Sequence, residues 1–234
     1  LLTDQLFYPG AHVADRGDHP AYVMAATGES VSYRELHERA NRIARHFRSL
    51  GLEPGDHVAW CLENHPWYLS LAWGAHYAGL YYTAISSRLT AEELAYIVDD
   101  CGARVFITSA HKADAAEQIV GDTPNVEHRF VLDGTLDGHG DLLDALATQS
   151  SEDLGGAVEG MDMLYSSGTT GRPKGVKVPL RDAPLGNPDA LFMLVAGMFG
   201  ANPETVYLSP APLYHAAPLR FCLQVQRAGG TVVV

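Results

Sequence analysis

The stretch Tyr165–Val176 reads Y-S-S-G-T-T-G-R-P-K-G-V. It combines Gly168, Gly171 and Gly175 with the hydroxyl side chains of Ser166, Ser167, Thr169 and Thr170, and with Lys174. Glycines let backbone N–H groups approach an anion closely and permit left-handed turns. Hydroxyls are compact donors, and a lysine supplies a point charge suited to phosphate. These residue types describe an anion-binding loop. The competing reading is a Ser/Thr/Gly surface linker. Against it, Arg172, Lys174, Lys177 and Arg181 fall in a stretch without an acid, in a chain with only 16 basic residues. The spacing is not that of the common phosphate loop, where Ser or Thr follows the lysine to hold magnesium. Here Gly175 and Val176 follow Lys174, and the glycines do not fit the dinucleotide turn either.

Working outward, Met161–Ser166 reads as a strand entering the loop and Gly175–Val178 as a strand leaving it. The segment 161–178 is thus expected as a strand–loop–strand cradle whose N–H groups act without a helix dipole. Upstream, Leu36, Ala40, Ile43, Ala44, Phe47 and Leu50 recur at helical spacing, so the pattern predicts a helix from Ser32 to Leu50. Ser32 with Glu35 forms its capping box, and Gly51 stops it. Short strands are expected at Val58–Leu62, Tyr81–Ile85, Arg104–Thr108 and Arg129–Leu132. Helices are expected from Pro66 to about Tyr77, over Ala91–Asp100 behind a Thr90/Glu93 capping box, over Ala110–Val120 and over Asp141–Thr148. Residues 149–160 read as a surface loop. After the cradle come a helix near Pro188–Phe199, a strand at Thr205–Leu208, a helix near Ala217–Arg227 and a strand at Thr231–Val234. The alternation predicts an α/β fold with mixed, mostly parallel sheets flanked by helices.

Composition narrows the function. A chain of 234 residues with 47% apolar residues can bury a substantial core. A net charge of −12 argues against nucleic-acid and anionic-membrane partners. Three cysteines, Cys61, Cys101 and Cys222, form no C-x-x-C pair, so neither a disulfide framework nor a thiolate metal site is expected. That usage fits a reducing, cytoplasmic setting. No apolar run is long enough to span a bilayer, and the first ten residues lack a signal-peptide pattern. The eleven histidines show no H-E-x-x-H spacing, and no protein-built metal site is expected. Trp60, Trp67 and Trp73 read as core. A homo-oligomer is compatible with the sequence, but nothing in it encodes one.

The run from Ser166 to Val176 resembles the AMP-binding signature of the adenylate-forming enzymes, which include acyl-CoA synthetases, luciferases and peptide-synthetase adenylation domains. Val31–Leu36, Leu52–Ala59, Ala78–Thr83 and Leu89–Leu94 resemble further family motifs. Pro212-Leu-Tyr-His215 is similar to the P-L-[FY]-H segment of the acyl-CoA synthetase branch. The resemblance spans nearly the whole chain, so residues 1–234 are expected to be the N-terminal part of an AMP-binding domain. It implies that Ser166, Ser167, Gly168, Thr169, Thr170, Gly171, Lys174 and Gly175 hold ATP phosphates and that Lys174 is catalytic. It places Tyr214 and His215 beside the acyl pocket or its gate, while the competing reading of His215 is a loop histidine in a Pro-rich turn. The implied reaction joins a carboxylic acid, a fatty acid in the branch concerned, to ATP with Mg2+, then passes the acyl group to CoA. A carrier-protein thiol is the alternative acceptor, and a non-catalytic nucleotide-binding piece is the other alternative. The family's later magnesium, ribose and hinge motifs and its small C-terminal domain do not occur here. The chain alone is therefore expected to fold without turnover. One departure stands out: Pro179, Pro184 and Pro188 replace the helix start usual after the signature, which predicts an extended loop.

Overall fold

The computed structural model describes residues 5–155, 158–166 and 172–234. Its main sheet has six strands: β3 (His57–Cys61), β4 (Tyr81–Ile85), β5 (Val105–Ser109), β6 (His128–Leu132), β7 (Gly140–Asp141) and β8 (Met161–Asp162). They run in the order β7-β6-β5-β3-β4-β8, and every pairing is parallel. A four-stranded sheet joins β1 (Pro20–Val23), β2 (Ser30–Ser32), β11 (Val206–Leu208) and β12 (Thr231–Val233) in the order β11-β12-β1-β2. Only β1–β2 is antiparallel there. A separate antiparallel hairpin pairs β9 (Leu164–Ser166) with β10 (Lys174–Val176).

Strands β3, β4 and β5 are buried at every residue, as parallel strands covered on both faces must be. Successive side chains still divide between two layers. Val58 and Trp60 face a core built with α2 (Tyr33–Ser49), α3 (Tyr68–Tyr77) and α8 (Ala216–Arg227), which also receives Tyr22, Val31 and Val232 of the small sheet. Ala59 and Cys61 face a second core with α4 (Ala91–Asp100) and α5 (Ala113–Gln118). Trp60 stacks on Tyr82 at 4.9 Å, and Trp73 is fully buried, as expected for core residues. Trp67 is instead half-buried beneath the Arg39 guanidinium, 4.3 Å from its ring. The remaining helices are α1 (Val13–Arg16), α6 (Leu142–Ala147) and α7 (Ala190–Met198).

Local chemistry explains most element ends. Ser32 Oγ accepts the Glu35 N–H, but Glu35 turns to Arg39 at 2.6 Å, so that cap is only half of a box. Thr90 and Glu93 complete theirs in both directions. Two expectations need correction. The stretch expected as one helix over Ala110–Val120 is broken into a 3-10 turn, the short α5 and a second 3-10 turn, none with a side-chain cap. The strand expected over Met161–Ser166 is split at Met163, because β8 extends the main sheet while β9 turns into the hairpin. The segment 149–155 is coil, and it is tied down by Arg42 and Arg45 donating to the carbonyls of Gln149, Glu152 and Asp153.

Candidate active site

The hairpin sets Ser166 opposite Lys174, with Ser166 Oγ 3.5 Å from the Lys174 carbonyl. Ser167, Gly168, Thr169, Thr170 and Gly171 lie outside the described residues. Gly175 sits opposite Tyr165, where a Cβ would come within 2.9 Å of the Tyr165 ring and 2.3 Å of Met163 Cε. No larger residue fits without moving them. Two side chains of α4 and one of the hairpin fasten it. Tyr165 Oη donates to Asp100 at 2.5 Å, and Tyr96 Oη donates to the Pro173 carbonyl at 3.1 Å. Burial and the Asp100 carboxylate push the Tyr165 phenol up, so it stays a donor. The Arg172 guanidinium lies 5.0 Å from the Tyr96 ring.

Strand β4 supports the other side. Tyr81 Oη donates to the Val178 carbonyl at 2.8 Å and accepts the Leu180 N–H at 3.0 Å. Lys177 Nζ sits 4.3 Å from the Tyr81 ring, and His57 stacks against that ring at 5.9 Å. Thr83 Oγ1 donates to the Met163 carbonyl, so it must accept from His57 Nε2 at 2.8 Å. His57, Thr83 and Met163 therefore link β3 and β4 to the point where β8 gives way to β9. Burial, then the nearby Lys177 charge, pushes the His57 imidazole down to about 3. Residues 177–188 contain no helix, as their prolines predict. Arg181 closes this loop by donating to Asn187 and to the Pro188 carbonyl.

A cleft of about 420 Å³ opens at the C-terminal end of β4, the end where α/β sheets bind ligands. Ser166, Pro173, Tyr214 and His215 all line it, with apolar walls from Ile85 and Ile97. Asn64 brings the Tyr214–His215 segment there, since its Oδ1 accepts the Leu213 N–H at 2.9 Å. His215 is the N-cap residue of α8 but makes no side-chain cap, and its ring lies 4.5 Å from that of Tyr214. Lys174 is exposed and does not line the cleft. Among the described residues no three His, Cys, Asp or Glu side chains gather as metal ligands. The three cysteines are free and buried. No helix among the described residues is long and apolar enough to cross a membrane.

Sequence reading missed a polar cluster behind the cleft. Arg220 binds Asp162 through Nε and Nη2, at 2.7 Å for the shortest contact. Arg227 pairs with Glu159, which also meets His76 at 3.0 Å. Burial pushes the Glu159 carboxyl up, but Arg227 and His76 outweigh it and hold it below the usual range. The signal was available: Asp162 interrupts the otherwise apolar run Met161–Leu164, and a lone carboxylate there needs a partner.

Residues 10–234 match the family model described as AMP-binding enzyme, and the chain belongs to that family. It is 32% identical over 210 residues to a feruloyl-CoA synthase of an Amycolatopsis species, covering 88% of this chain and 39% of that protein. It is 32% identical over 184 residues to surfactin synthase subunit 1 of Bacillus subtilis, covering 77% of this chain and 4% of that protein. The ATP-bound structure of MatB from Rhodopseudomonas palustris superposes with a TM-score of 0.73 at 28% identity, over 98% of this chain and 45% of that one. The chain thus spans well under half the length of these relatives.

Proposed function

We propose that this chain is the N-terminal part of an AMP-forming acid–thiol ligase that activates a carboxylic acid with ATP and transfers the acyl group to CoA. The observation that supports it most is the shared cleft, where Ser166 and Pro173 of the signature meet Tyr214 and His215. The attack of a carboxylate on a triphosphate sets anion against anion, so the barrier is largely electrostatic. Residues 161–178 serve as the phosphate cradle. Ser166, Ser167, Thr169 and Thr170 donate to phosphate oxygens, while Gly168, Gly171 and Gly175 shape the backbone around them. Lys174 neutralises charge on the departing pyrophosphate. Tyr214 and His215 flank the entering acid. Mg2+ arrives with ATP. A fatty acid is the class proposed from the acyl-CoA synthetase resemblance, and a cytoplasmic setting goes with it.

A second reading keeps the adenylation and changes the acceptor to a carrier-protein thiol, which the match to a surfactin synthase subunit favours. Thioester formation by the full-length protein, offered free CoA or a carrier protein, separates the two. The first reading expects product with free CoA and a loss of tenfold or more in Lys174→Ala, since one charge-assisted hydrogen bond contributes about 1.5–3 kcal/mol. Product with the carrier alone would establish the second reading, and an unchanged rate in Lys174→Ala would remove that residue from the mechanism.

A further inference from the structure

Helix α4 meets the signature hairpin at both of its strands. Tyr96 and Asp100 stand four residues apart on that helix, so they share one face, a turn apart. Asp100 accepts the Tyr165 hydroxyl of β9 at 2.5 Å, and Tyr96 donates to the Pro173 carbonyl, just before β10, at 3.1 Å. Each bond falls one residue from a group that the proposed function assigns to phosphate. Tyr165 precedes Ser166, and Pro173 precedes Lys174. A trans peptide is planar, so fixing the Pro173 carbonyl also fixes the Lys174 N–H.

The helix is firmly held. Its capping box fixes its start, and Leu94, Ile97 and Val98 are buried in the second core. The hairpin is not. Its strands have three residues each, and only Leu164 among them is buried. A two-stranded hairpin is marginal alone. The two tyrosine bonds thus tie a weak element to a rigid one, with one bond at each strand. Gly175 lets the Tyr165 ring take this position, because the ring occupies space that a side chain there would need.

We propose that Tyr165, Asp100 and Tyr96 are positioning residues that set the placement of Ser166 and Lys174 for the phosphates of ATP. The proposal rests on the carboxylate-activation reading. Phosphate donors act only when neighbouring contacts lock their geometry. A merely structural role would lower the folded fraction, which scales kcat and leaves KM unchanged. A positioning role weakens the hold on ATP and raises its KM. The acid, flanked by Tyr214 and His215, keeps its own.

The test is acid-dependent ATP–pyrophosphate exchange by full-length Tyr165→Phe and Tyr96→Phe, which lose a hydroxyl and keep the ring. The expected result in each is a rise of roughly threefold or more in the KM for ATP, larger than any rise in the KM for the acid. Asp100→Leu should repeat the Tyr165→Phe rise, and combining the two should add nothing, because both remove the same bond. Asp100→Asn keeps an acceptor and should show a smaller rise than Asp100→Leu. If Asp100→Leu fails to fold, the tyrosine variants still decide. A smaller rise in either tyrosine variant, or one matched by the acid, would overturn the proposal. Absence of exchange by the wild type with every acid would instead overturn the activation reading.

Discussion

His57 shows how one side chain can hold the site and tie its stability to pH. Its Nε2 proton goes to Thr83, while Nδ1 is buried without a partner among the described residues. A second proton would therefore be unsatisfied and would face Lys177. With a folded pKa of about 3 against 6.5 in the unfolded chain, protons bind the unfolded state first as pH falls. The sign is a loss of stability below about pH 6.5, with no contribution above it. From pH 7.5 to 5.5 this residue should cost about 1.4 kcal/mol. Urea midpoints at the two pH values should differ less in His57→Gln than in the wild type. An equal difference in both would exclude His57 as a source of the pH dependence. The role of His57 was not legible in the sequence, because a histidine beginning a strand gives no sign of Thr83 or Lys177. Ser166 was singled out by its loop composition, and Tyr214 and His215 by the resemblance of their motif; the structure sets all three along one cleft.

At the scale of elements, α2 and α3 approach closely at Gly74. A Cβ there would lie 2.3 Å from Ile43 Cγ2 and 2.6 Å from Ile43 Cβ. Both helices are packed against the main sheet, so neither can retreat freely. Gly74→Ala should destabilise the protein by about 1–3 kcal/mol through overpacking, despite alanine's better helix propensity. Ile43→Val in the same background should recover part of the loss in a denaturant titration, and no recovery would place the strain elsewhere. The periodicity of α2 and the Thr90 cap of α4 were readable because both are local. The break in the Ala110–Val120 stretch was not, since composition favoured a helix and only the absence of caps opposed it. The split of Met161–Ser166 depends on whether each half pairs with β4 or β10, which is a tertiary matter.

At the scale of the whole molecule, α8 ties the parts together. Gln226 Oε1 accepts from Trp73 Nε1 at 2.7 Å, Tyr33 Oη lies 3.1 Å from the Gln226 carbonyl, and Arg220 reaches Asp162 on the main sheet. Strand β12 is paired on both sides, by β11 and β1. Of the two edge strands of that sheet, β11 and β2, β11 carries Val206 and Leu208, 71% and 62% exposed. The layered architecture was legible from alternation alone, while the strand order was not. The proposed function assigns one chemistry to the cleft, activation of a carboxylic acid by ATP. The most direct measurement is ATP–pyrophosphate exchange by the full-length protein over short, medium, long and aromatic carboxylic acids. Exchange that depends on an added acid and falls at least tenfold in Lys174→Ala is the expected result. No exchange with any acid, from folded protein supplied with magnesium, would contradict it.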